Sequence, residues 1–171
     1  MTTRPLPFDP IAEARRQWVG HGWGHAADGM VAVTSIIRVQ QILMQRIESA
    51  LRPLGLTFAR YEVLMVLAFS QRGSLPLNKV GARLQVHPTS VTNAVDRLEA
   101  DGLIARQPHA TDRRTTLAVL LPAGRALAER ATDTVNDIFA GPLLDGPGMP
   151  GLVEALTDLR ARAGDFGPPG G

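Results

Sequence analysis

Apolar residues along this 171-residue chain recur mostly at helical spacing, with one short stretch where the rhythm changes to that of strands. Asp9-Pro10 reads as an N-cap followed by proline in the first turn, which predicts a helix through about Trp18, ended by Gly20, Gly22 and Gly24. A long helix is predicted from about His25 to Leu54. Its apolar positions Val33, Ile36, Ile37, Leu43, Met44, Ile47 and Leu51 form a stripe wider than one neighbour can cover. Pro53 and Gly55 stop it, and Thr57 caps a helix from Phe58 to about Gln71 that buries Tyr61, Leu64, Met65, Leu67 and Ala68 before Gly73.

A shorter rhythm follows. Residues 77–84 and 88 to about 101 read as two helices joined by a turn at 85–87, with Gly102 ending the second: a helix-turn-helix. Residues 103–107 and 115–121 are β-prone runs joined by a polar segment, the pattern of a hairpin with a protruding loop, or wing. Pro122 restarts a helix to about Phe139, residues 141–151 are a Gly/Pro linker, and 152–163 form a last amphipathic helix before a frayed tail.

The second helix of the pair divides into faces. Val91, Val95 and Leu98 must pack inward, leaving Thr89, Ser90, Thr92, Asn93, Asp96 and Arg97 outward. Short polar side chains suit a helix in a DNA major groove, where Asn93 can pair with adenine and Arg97 with guanine. A solvated helix face has the same composition. Asp96 opposes groove insertion unless Arg97 or another cation neutralises it. The hairpin tip carries His109, Asp112, Arg113 and Arg114, and a guanidinium on a thin loop has the shape to enter a minor groove. Asp112 would orient Arg114 through a charge-assisted bond, although the same residues also make an ordinary soluble turn.

Composition narrows the classes. Net charge is +2, yet residues 72–114 hold seven Lys and Arg against four acids while residues 115–171 hold four against seven. A basic middle segment points modestly to nucleic acid. The absence of cysteine excludes disulfides, thiolate catalysis and thiol sensing, and four scattered histidines argue against a zinc site, so no metal and no cofactor is expected. No apolar run approaches the roughly 20 residues of a bilayer span and residues 1–10 lack a signal-peptide core, so the expectation is a cytoplasmic protein with no membrane partner.

Taken together, Asp96-Arg97-Leu98-Glu99, Gly102-Leu103, the Asp112-Arg113-Arg114 tip and Pro122-Ala123-Gly124 at a helix start resemble the MarR family of bacterial winged-helix transcription regulators, over about residues 30–140. The resemblance implies a mainly α fold with a small β-hairpin wing, a winged helix-turn-helix lobe on a helical dimerisation base. Residues 1–24 would be an N-terminal extension, 25–56 a dimerisation helix, 57–121 the DNA-binding lobe, 122–163 the C-terminal dimerisation helices and 164–171 a tail. It implies a homodimer on a pseudo-palindromic double-stranded DNA operator, a repressor with Thr89 to Arg97 in the recognition helix, Arg113 and Arg114 in the wing and Asp112 orienting it. One departure from the family pattern is Leu121, which leaves the helix at Pro122 without a hydroxyl cap. The family further implies release by a small anionic or aromatic effector, for which Trp18, Trp23, Arg16, Arg38, Arg60 and Tyr61 are the candidate lining, with the two indoles equally able to serve as packing anchors. Two rivals are an enzyme, which would need a further α/β domain with a Gly-rich cofactor loop, and a winged-helix protein-interaction module without specific DNA binding.

Overall fold

The computed structural model describes residues 6–84, 88–109, 111–112 and 114–167. The turn expected at 85–87, and Arg113, therefore lie outside the described residues. The chain forms two compact units, Met1–Ser49 and Ala50–Gly171.

The first unit holds α1 (Pro10–Gly20), a 3-10 turn (Gly24–Ala26) and α2 (Ala27–Leu51), whose last two residues fall in the second unit. Asp9 caps α1 as expected: its Oδ1 accepts from the Ile11 amide at 2.9 Å, and Pro10 occupies the first turn. Gly22 takes a positive φ of 83° in the turn after α1, where Trp18 and Trp23 meet edge to face at 5.3 Å. Arg15 grips Asp28 with Nε and Nη2 at 3.1 and 3.0 Å, fastening α1 to the start of α2. Val33, Ile36 and Ile37 on α2 remain exposed.

The second unit runs α3 (Phe58–Ala68), β1 (Ser74–Pro76), α4 (Leu77–Leu84), α5 (Pro88–Ala100), β2 (Ile104–Pro108), β3 (Thr116–Leu120), α6 (Pro122–Phe139) and α7 (Met149–Arg162). The fold is mainly helical with a small antiparallel sheet, as the sequence predicts. Thr57 caps α3 through the Arg60 amide, but the helix ends at Ala68, three residues short of the expected Gln71. Val63, Leu64 and Leu67 of α3 are fully buried, because α4, α5 and α6 and the sheet all pack on this one helix. No residue of α7 is buried, and Leu152, Val153, Leu156 and Leu159 are exposed.

The sheet has the order β1-β3-β2, with Leu75 opposite Ala118 and Arg106 opposite Ala118 on the other side. Strand β1 was not expected. Three residues ending in proline carry no period-2 signal, and they form a strand only because the far edge of β3 is free to pair.

Two glycines set the joints. Gly102 (φ 68°) closes α5 in a Schellman motif: the Leu103 amide bonds the Leu98 carbonyl and the Gly102 amide bonds that of Glu99. Gly124, one turn into α6, lies so close to β2's approach that a Cβ would sit 2.1 Å from the Leu103 carbonyl oxygen. The Leu121 position before α6 makes no side-chain cap bond, as its apolar side chain dictates, so this contact at Gly124 helps to seat the helix start. Gly124→Ala is expected to destabilise the protein by about 1–3 kcal/mol through overpacking. An unchanged midpoint in chemical denaturation would show that the Leu103 carbonyl can move aside.

Candidate nucleic-acid interface

Helix α5 divides as its spacing predicts. Val91, Ala94, Val95 and Leu98 are buried, and Thr89, Ser90, Thr92, Asn93, Asp96 and Arg97 are exposed. The inward set fixes the rotation of the helix about its axis, so the polar set is aimed outward as a group.

The hairpin of β2 and β3 carries the wing. His109 and Thr115 close its base through a backbone bond of 3.0 Å, and the Thr115 amide returns to the Asp112 carbonyl at 3.0 Å. The carboxylate of Asp112 does not reach for the Arg114 guanidinium, contrary to expectation. Its Oδ1 accepts from the Arg114 backbone amide at 3.0 Å and its Oδ2 from the Thr115 hydroxyl at 2.7 Å. Both bonds favour the charged form and hold its pKa below the ordinary aspartate value, the Thr115 hydroxyl contributing most. Asp112 therefore shapes the turn, as an Asx turn does, and leaves the exposed Arg114 side chain available for an outside partner.

Asp96 finds its cation on the sheet. The guanidinium of Arg106, in edge strand β2, pairs with Asp96 through Nη2 and with Glu99 through Nη1, while the Arg106 amide donates to Glu99 Oε1 at 3.1 Å. Of the two possibilities left by the sequence, Arg97 or another cation, it is the other cation that pairs, since consecutive helix positions diverge by about 100°. Two carboxylates three residues apart on α5 are thus matched by one bidentate side chain that also fastens the wing to the helix. Their hydrogen bonds, Asp96's first, raise the Arg106 pKa further and keep it charged at any working pH. Sequence reasoning passed over Arg106. The signal was the strand alternation that puts it on the same face as Ile104, beneath α5.

The six residues expected to line an effector site divide between the two units, Arg16, Trp18, Trp23 and Arg38 in the first and Arg60 and Tyr61 in the second. Trp18 and Trp23 touch each other in the first unit, His21 stacks on Trp23 at 5.3 Å, and Arg16 is occupied by Glu13. Arg38 lines a cavity of about 340 Å³ beside Ile11 and Ile37. Arg60 lies in the second unit and is engaged by Asp101 and the Gly55 carbonyl. Tyr61 lines the cavity of about 410 Å³ between α3 and α6, where its hydroxyl lies 3.2 Å from Thr132 Oγ1. The residues missed there are Phe58, Glu62, Phe69 and Phe139. Their spacing spans two helices 70 residues apart, so nothing local announces the cavity.

Comparison with known proteins agrees with this architecture. Residues 54–115 match the model of the MarR family. The chain is 33% identical over 101 residues to the HTH-type transcriptional repressor Rv2887 of Mycobacterium tuberculosis, covering 59% of this chain and 71% of that one. Among solved structures, Sco5413, a MarR family transcriptional regulator from Streptomyces coelicolor, is 44% identical with a TM-score of 0.74, over 82% of this chain and 99% of that one. Sco3205 from the same organism, solved in complex with DNA, shares the fold at 23% identity and a TM-score of 0.72, over 85% and 92%. The combination of a helix pair, a three-stranded wing sheet and these relatives places the chain in the MarR family of transcription regulators, to which it belongs.

Proposed function

We propose that the protein is a sequence-specific repressor that binds a pseudo-palindromic double-stranded DNA operator as a homodimer and is released by a small-molecule ligand. The observation that carries the reading is the exposed polar face of α5, from Thr89 to Arg97, beside a wing whose Asp112 turn leaves Arg114 free-standing. In this reading Asn93 and Arg97 meet base edges, hydroxyls of Thr89, Ser90 and Thr92 meet phosphates, and Arg114, with Arg113, enters the minor groove. Residues 57–121 act as the DNA-binding lobe. Residues 25–56 and 122–163 act as the dimer base, with 1–24 as an extension. The exposed apolar stripes of α2 and α7 support a second copy, since a monomer rarely leaves so many large aliphatic side chains in water. Two lobes related by a two-fold axis address half-sites about 10 bp apart. The protein-interaction alternative draws on the weak net charge and on Asp96, and the Arg106 pairing answers the second of these.

Arg114→Ala is expected to weaken operator affinity by about 1–3 kcal/mol and to lower the salt slope by about one, measured by fluorescence anisotropy at two or more salt concentrations. Unchanged affinity across salt would remove Arg114 from the interface. Arg106→Ala uncovers the Asp96 and Glu99 carboxylates next to the DNA and is expected to weaken binding about tenfold. Adding Asp96→Asn to that variant should recover much of the loss. Failure of the second change to recover any of it would mean that Arg106 itself touches phosphate or that the wing has shifted.

A further inference from the structure

Four of the eight aromatic residues in the chain line one cavity. Phe58 and Tyr61 of α3, stacked at 6.1 Å, and Phe69 just beyond it face Phe139 of α6 across the space of about 410 Å³, with Leu84 of α4 at one end. Among the described residues no lysine, arginine or histidine lines it, and its carboxylate is that of the half-buried Glu62. A neighbouring hollow of about 330 Å³ shares Met65, Phe69 and Thr132 with it and adds Arg125, Glu129 and Asp133, so the combined groove carries more acid than base. Phe69 and Phe139 are 78% and 49% exposed, which is costly for large aromatic side chains unless something covers them.

A carboxylate among aromatic faces is the arrangement that receives a positive charge. The ring faces attract a cation through their quadrupoles, and the carboxylate supplies the counter-charge at short range. A ligand carboxylate would instead be repelled by Glu62, and the guanidinium of Arg60 in the same unit is taken by Asp101. We propose that the cavity between α3 and α6 binds a lipophilic organic cation, its charge facing Glu62 and its apolar groups lying on Phe58, Tyr61, Phe69 and Phe139. Glu62 has its pKa raised by burial alone, with no hydrogen bond or charge to offset it, so a bound cation would relieve that penalty. This specifies the ligand class within the proposed ligand response, and rests on that response only for its consequence on DNA.

The test uses two ions of nearly equal size and shape and opposite charge, tetraphenylphosphonium and tetraphenylborate, titrated calorimetrically into the full-length protein without DNA. Tetraphenylphosphonium is expected to bind on the order of tenfold more tightly. Glu62→Gln should erase that preference, and Phe69→Ala, at an exposed position, should weaken binding of the phosphonium while leaving the thermal midpoint nearly unchanged. Equal binding of the two ions, tighter binding of the borate, or a preference that survives Glu62→Gln would overturn the assignment. So would binding of neither ion, the result expected if a second copy of the chain fills the groove. Because the readout contains no DNA, it stands apart from the regulator reading. Operator binding with no phosphonium binding sinks the ligand class alone, and phosphonium binding without operator binding sinks the DNA reading alone.

Discussion

The burial of α3 is the constraint on which the second unit depends. Val63, Leu64 and Leu67 are fully buried on one broad face of the helix, and the buried Tyr61 widens the covered arc to about 160°, which requires more than one partner. Helix α5 has 13 residues and α4 only eight, lengths that are marginal for an isolated helix. They persist because Val80, Val91, Val95 and Leu98 close against the core that α3 organises. The orientation of the polar face of α5 is therefore a consequence of apolar packing, and the residues proposed to meet DNA owe their placement to buried ones.

Electrostatics supplies what packing cannot. A helix that carries both Asp96 and Glu99 would repel a polyanion, and it would also repel itself, since the two carboxylates share a face. Arg106 answers both problems from the adjacent strand, with a side chain 27% exposed and therefore only partly screened by water. The same contact ties the wing to α5. Under the proposed reading this joins the major-groove and minor-groove elements before binding, which would lower the conformational entropy lost on it.

Elements with their own periodicity and punctuation were legible in the sequence. The Asp9 and Thr57 caps, the bounds of α4 and α6 and the two faces of α5 all rest on interactions within a few residues, which is the range over which spacing carries information. The motifs around Asp96, Gly102, Asp112 and Gly124 were also enough to indicate the family. Legibility failed where a partner is distant. Strand β1 exists because of β3, some 40 residues later, and Asp96 is answered by Arg106 rather than by its neighbour Arg97. Asp112 illustrates a subtler limit: its importance to the wing could be read, yet whether a carboxylate bonds a side chain or the backbone depends on a turn geometry that spacing does not encode.

The cavity beside α3 adds a mechanical consequence. One wall is α6, another is the face of α3 that carries Tyr61 and Met65, and Leu84 at its end is the last residue of α4, the helix that precedes α5. Any occupant therefore touches the same helix that α5, with its proposed DNA-reading face, packs against. Occupancy alone does not change DNA affinity, because a ligand shifts an equilibrium only by the difference in its affinity for the two arrangements. Because Leu64 and Leu67 are fully buried against α4, α5, α6 and the sheet, a displacement of Tyr61 or Phe58 that moved α3 would be felt by the elements packed on it. The burial that holds α5 in its reading orientation is thus also what would couple that orientation to the contents of the cavity.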